Sequence, residues 1–279
     1  MVSRESRPSA VARCRRLPQI RITETECAKR GAMKSATMIC TIAAAAWFGG
    51  FASPSSAWAQ ADMTDTWTIA EGGKLYDHWA KVLFQDLKNA PTHPSYPAAG
   101  KQKGEATWRC KECHGWDYKG KDGAYAKGSH FTGIKGIRSF AGVAPERIVK
   151  IFRDGTHRYT EAMLPHKAAE ALALFVSRGQ IDVEPVIERA TRMAHGDAKR
   201  GARFFQSICA VCHGFDGKQI NFKTPEDPEY IGTVANENPW ETLHKIRSGQ
   251  PGIPMPSLGV LDLEDQVDIL SYAQTLPKR

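Results

Sequence analysis

Two pentapeptides carry the recognisable chemistry of this chain: Cys110-Lys-Glu-Cys113-His114 and Cys209-Ala-Val-Cys212-His213. On a helical turn, positions i, i+3 and i+4 lie on one face. Both thiols and the following imidazole can therefore address a single group. The Cys-x-x-Cys-His pattern is that of c-type haem attachment, in which the thiols bond to two porphyrin vinyls and the histidine reaches the iron. A zinc site built from four cysteines would leave both histidines without a role. The strand–helix alternation that surrounds a thioredoxin-like redox pair is not found here. Cys110, Cys113, Cys209 and Cys212 are read as the attachment points of two covalent haem c groups, with His114 and His213 as proximal iron ligands.

The elements that must position these residues follow one plan twice. In the second copy a helix over 199–208, with Phe204 and Phe205 able to face a core, runs straight into Cys209. A further helix is expected over 239–248, opened by Pro239 and closed by Gly249. A Gly- and Pro-rich loop, 249–259, contains Met255, and a last helix over 263–275 buries Val267, Ile269, Leu270 and Tyr272. The first copy opens with a helix over 73–84, where Leu75, Tyr76, Trp79, Val82 and Leu83 fall at helical spacing. A Gly-rich wrap follows over 115–142, then a helix over 145–153, a loop with Met163, and a helix over 167–176. The expectation is an all-α protein of two tandem domains, 60–182 and 195–279, joined by a linker at 183–194 in which Pro185 marks a break. The first domain carries an insertion, 77–108, with Pro91, Pro94 and Pro97 beside Trp79, Phe84 and Tyr96. It could dock a partner or add packing over a haem edge.

Residues 33–59 read as a secretory signal: Lys34, an apolar run over 37–52, and Ala57-Trp58-Ala59 as cleavage site. The run is shorter than the roughly 20 residues that span a bilayer. The expected mature chain starts at Gln60, has no transmembrane anchor and lies in the periplasm, and the Arg-rich stretch 1–32 is an upstream extension that need not be translated. Cys14, Cys27 and Cys40 leave with these segments, so all four remaining cysteines belong to the motifs. The formal charge of +8 is also misleading. Residues 1–59 hold nine Lys/Arg and three Asp/Glu, and the remainder has 29 against 27, or +2. Such a balance gives no support for nucleic-acid binding.

Each half resembles a class I cytochrome c domain, the small all-α fold whose terminal helices cross beside the haem. Residues 193–279 match throughout, with Gly201/Phe205, Cys209–His213-Gly214, Met255-Pro256 and the Tyr272 helix in order; residues 66–180 match apart from the insertion. The layout is similar to tandem dihaem carrier cytochromes and to cytochrome subunits of dehydrogenases. The resemblance implies an axial methionine in the loop before the last helix, which points to Met163 and Met255, both beside prolines. A thioether raises the potential, and a second imidazole lowers it. In the first half His130, His157 and His166 compete with Met163. Trp108 and Trp116 suit haem packing, and Arg138, Arg158 and Arg247 could meet propionates. No residue is assigned a catalytic role. The expected function is a carrier of single electrons between a dehydrogenase or oxidase and another acceptor. The competing reading is a dihaem oxidoreductase, peroxidase-like or thiosulfate dehydrogenase-like, with an open first haem.

Overall fold

The first apolar-periodic stretch folds as α1 (Ser55–Val82), which starts well before the spacing over 73–84 predicts. The structure, a computed structural model, describes residues 55–279, and side chains from residue 65. The extension 1–32, most of the signal segment 33–59 and its three cysteines lie outside the described residues; 55–59 are the first residues of α1. The backbone at His78 is extended (φ −157°, ψ 79°), and this kink turns the last residues of α1 toward the first motif.

The motif itself is α2 (Cys110–His114), followed by α3 (Pro145–Arg153) and α4 (His166–Leu174), which runs on into a π-turn over Phe175–Gly179. Next come α5 (Ala198–Phe204), a π-turn over Phe205–Cys209, and α6 (Ala210–His213) with the second motif. The remaining helices are α7 (Ile231–Glu237), α8 (Pro239–Ser248) and α9 (Leu263–Ala273). α3 and α8 occupy the residues expected of them, each with proline in the first turn, where a missing N–H costs nothing. No strand occurs among the described residues, so the fold is all-α.

The two motifs share their local backbone. Gly115 and Gly214 follow the histidines at φ 79° and 78°, a conformation that favours glycine. Each donates back to the first turn, Gly115 N–H to the Lys111 carbonyl and Gly214 N–H to that of Ala210, both at 2.9 Å. The helix crossings correspond too. α1 packs on α4, and α5 packs on α9. A Cβ on Gly72 would lie 2.1 Å from the Ala171 carbonyl oxygen, and one on Gly201 only 1.9 Å from that of Asp268. Four residues beyond each glycine stands a buried aromatic, Tyr76 or Phe205.

Apolar burial, the main driving force, gathers around two large centres and a small one of Phe205, Ala210 and Leu276 beside the second motif. One large centre holds Tyr76, Trp79, Trp108, Ile148, Phe152, Leu172 and Phe175. The other holds Trp240, Leu243, Val267, Ile269 and Leu270, together with Trp116 and Tyr125 from the wrap after the first motif. Val183 and Ile187 are buried there as well, so the segment expected as a linker is part of a core.

Polar contacts fasten α8 to the first half. The Tyr118 hydroxyl donates to His244 Nδ1 at 2.9 Å, and His244 Nε2–H donates to the Gly73 carbonyl at 2.9 Å. Asp77, fully buried, pairs with Arg109 and lies 3.4 Å from Lys245 Nζ. Burial opposes ionisation of Asp77, but Lys245 and Arg109 outweigh it and hold the carboxyl below its ordinary pKa.

Two predictions follow from this packing. Gly201→Ala should lower the unfolding free energy by about 1–3 kcal/mol, since a methyl group at the α5–α9 crossing meets backbone that cannot yield. Urea unfolding of the variant checks this, and unchanged stability would remove the crossing from the argument. The second concerns His244, where burial pushes the imidazole pKa down to about 4. An unfolded histidine protonates near pH 6.5, so between those values the unfolded chain binds more protons. The contribution is complete above the unfolded pKa and is lost as the pH falls toward 4. His244 should account for roughly 2 kcal/mol of lost stability between pH 7 and pH 5. His244→Gln should show a correspondingly smaller drop, and an equal drop in both proteins would contradict the assignment.

Candidate haem sites

The short α2 presents Cys110, Cys113 and His114 to one cavity of about 490 Å³, within the usual range for ligand pockets. Apolar side chains wall it: Ile148 and Phe152 from α3, Leu172 from α4, and Ile137 and Val176 from the adjoining turns. The motif is anchored at both ends. Tyr76 hydroxyl donates to the Gly115 carbonyl at 2.6 Å. Trp79 Nε1–H and the Tyr159 hydroxyl both donate to the Trp108 carbonyl, at 2.8 and 2.6 Å. Arg109 Nε–H donates to the Asp77 carbonyl at 2.8 Å, and its guanidinium pairs with the Asp77 carboxylate. Burial pushes both thiols, Cys110 and Cys113, up to about 12.

His114 is oriented for metal binding. Its Nδ1–H donates to the Lys135 carbonyl at 2.8 Å, which leaves Nε2 as the available nitrogen. A hydrogen bond of this kind fixes tautomer and ring direction in metal-ligating histidines. Burial lowers its pKa to about 4, keeping the ring in the neutral, ligating form.

Across the cavity the structure places His157, its ring centroid 6.3 Å from that of His114 and its plane inclined by 29°. Met163 is not among the residues lining this cavity. It is half-buried against the first apolar centre, in a loop whose Ala162 and Met163 carbonyls accept from Gln85 Nε2. His130 and His166 stand elsewhere. His130 stacks on Tyr125 and its Nδ1 lies 2.8 Å from Glu112, while His166 is exposed beside Glu170 at the start of α4. His93 does line the cavity, but its Nε2 donates to the His157 carbonyl and its Nδ1 accepts from Ser95 N–H.

The second motif has a more open setting. Burial lowers the pKa of His213, whose ring lies between Phe205 and Phe222, with centroids at 6.4 and 6.1 Å. Its buried Nδ1 has no hydrogen-bond partner. Cys209 is half-buried, its thiol pushed up by burial to about 11, and Cys212 is exposed. Val211 and Phe215 on either side of Cys212 are three-quarters exposed, at 75% and 76%. Met255 is half-buried in the loop between α8 and α9.

Sequence reasoning overlooked several lining residues. Arg109 borders the cavity, whereas Arg138, Arg158 and Arg247 do not. Arg158 donates to the Gly155 carbonyl, and the half-buried Arg247 donates to Gln266 and the Gly179 carbonyl. His93, Ser95 and Thr107 show that the 77–108 insertion forms part of the wall. Tyr76 was expected only as core, yet its hydroxyl supports the motif. Its position four residues after Gly72 repeats that of Phe205 after Gly201, a signal available in the sequence.

Among the described residues no three His, Cys, Asp or Glu side chains converge as a metal site, so a metal in the first cavity needs most of its ligands from another source. A porphyrin held through Cys110 and Cys113 would meet that requirement, with His114 as a protein ligand to its iron. No helix among the described residues is long and apolar enough to cross a membrane.

Comparison with known proteins agrees with this chemistry. Residues 196–272 match the family model described as cytochrome c oxidase, cbb3-type, subunit III. A cytochrome c-553-like protein of Synechocystis sp. (strain ATCC 27184 / PCC 6803 / Kazusa) is 30% identical over 106 residues, covering 38% of this chain and 90% of that protein. No solved structure matches the chain.

Proposed function

Since the chain belongs to the class I c-type cytochrome superfamily, we propose that it is a periplasmic dihaem carrier, passing single electrons between a dehydrogenase or oxidase and a further acceptor. It is a haem c protein of electron transfer; the second haem, the location and the partners are the proposed refinements. The observation that carries the two-haem reading is the duplicated motif backbone. Cys110–His114 and Cys209–His213 end in the same glycine turn, with matching hydrogen bonds back into the helix.

The remaining assignments rest on the same motifs. Cys110 and Cys113 hold the first haem, Cys209 and Cys212 the second, with His114 and His213 proximal and Met255 distal at the second iron. The proposed mature chain begins at Gln60 after signal cleavage, and 60–182 and 195–279 each serve one haem. Bound haem iron supplies a one-electron couple. The protein's part is to hold two axial side chains on each haem and exclude competing ligands, which suits transfer without substrate chemistry.

Mass and spectrum test this reading together. Protein matured in a periplasm should begin at Gln60, carry the mass of two haems, and show two haems per chain by pyridine haemochrome. Cys110→Ala/Cys113→Ala and Cys209→Ala/Cys212→Ala should each retain one. A single haem in the parent protein would reject the dihaem carrier. Rapid peroxide turnover or thiosulfate oxidation by the two-haem protein would move the function to the enzyme class.

A further inference from the structure

We propose that His157, not Met163, is the sixth ligand of the first haem, and that the 77–108 insertion serves to hold His157 in place. This rests on the haem reading above and deepens it, because it makes the two sites chemically unlike.

The first argument is distance. Two imidazoles sharing one metal are separated by two metal–nitrogen bonds of roughly 2 Å each, plus the reach from each nitrogen to its ring centre, in total roughly 6 Å. His114 and His157 stand at 6.3 Å across the cavity that also receives Cys110 and Cys113. That is too far for two nearly parallel rings to touch face to face, where carbon atoms meet at about 3.5–4 Å. It matches the separation of two imidazoles bound to one metal.

The second argument is nitrogen chemistry. His157 Nδ1 faces Asp154 Oδ1 at 3.3 Å, as His114 Nδ1 faces the Lys135 carbonyl. Neither Nε2 has a hydrogen-bond partner among the described residues, so each ring keeps one nitrogen for a metal. His93, the other imidazole in the cavity wall, has both nitrogens engaged.

The third argument is support. Asp154 Oδ1 also accepts from the backbone N–H groups of Thr156 and His157, both at 2.9 Å. From the insertion, His93 Nε2–H donates to the His157 carbonyl at 2.8 Å and Ser95 Oγ–H to the Thr156 carbonyl at 2.7 Å. His93 is itself fixed, its N–H donating to Thr107 Oγ1 at 2.8 Å and its ring against Trp108 at 4.4 Å. Conserving ligand direction by such outer contacts is common at metal sites. Position in the chain agrees: His157 follows His114 by 43 residues and Met255 follows His213 by 42, whereas Met163 follows His114 by 49.

The experiment uses the full holoprotein, with two haems first confirmed by mass, so that failure of haem attachment is separated from failure of the ligand assignment. Near-infrared magnetic circular dichroism of the oxidised protein should show a methionine-to-iron band of one-haem intensity, and only low-spin iron. Met255→Ala should abolish that band, while Met163→Leu leaves the spectrum and both potentials unchanged. His157→Ala should convert one haem to high spin that binds cyanide. His157→Met should restore low spin, double the methionine band and raise the potential of one haem. Ser95→Ala, in the insertion, should keep both haems but speed cyanide binding at one of them severalfold. A parent band of two-haem intensity that halves in Met163→Leu would overturn the proposal, as would a high-spin first haem in the parent protein.

Discussion

Cys110, Cys113 and His114 occupy little more than one helical turn, so a planar group bonded to all three has almost no freedom of position. The rest of the first half must be built around that fixed plane. The turn has no length with which to stabilise itself, because short helices are marginal without tertiary support. It borrows support from both sides: the carbonyl before it, of Trp108, accepts from Trp79 and Tyr159, and the carbonyl after it, of Gly115, accepts from Tyr76. Three buried aromatics therefore set the tilt of five residues. They contribute by apolar burial as well as by hydrogen bonding, which is why aromatics with a polar tip suit the task.

The same economy joins the two halves. Tyr118 belongs to the first apolar centre, and its hydroxyl meets His244 of α8, which in turn meets the backbone of α1. Trp116, three residues after Cys113, is buried in the second centre. The halves consequently share side chains instead of abutting as separate bodies. A buried ion pair with Asp77 adds little net stability, but stranding one partner is costly, typically 3–5 kcal/mol. Its effect is to penalise any slippage of α8 against α1.

The sequence revealed those parts that depend on local rules. Cys-x-x-Cys-His is a one-turn pattern, and α3 and α8 carry proline at the start and the charge and spacing of amphipathic helices. It hid the parts decided by tertiary contact. α7 contains Gly232 and the β-branched Thr233 and Val234, poor helix formers; it forms because Gly232 is pressed against the backbone of Leu276 and Pro277. The segment 183–194 reads as a linker broken at Pro185, and only the cores show that Val183 and Ile187 anchor it. The sixth-ligand argument had the same weakness. Residue type and neighbouring prolines point to Met163; the proposal of His157 rests on the separation of the two rings and the engagement of Nδ1. Neither can be seen in a linear string.

The insertion gives this difference a physical logic. The second half has no counterpart to 77–108, and its motif stays partly open, with Cys212, Val211 and Phe215 exposed. In the first half His93, Ser95 and Thr107 of this segment line the cavity, and His93 and Ser95 hold the loop that bears His157. An imidazole lowers the potential of a haem and a thioether raises it. On the proposed ligation, His157 at one iron and Met255 at the other, the first site would have the lower potential and an electron would pass downhill to the second. The closed site would then receive electrons from a donor, and the open one, whose motif is flanked by the exposed Val211 and Phe215, would deliver them. On that ligation, one added segment that exchanges a ligand would be enough to give two otherwise similar sites a direction.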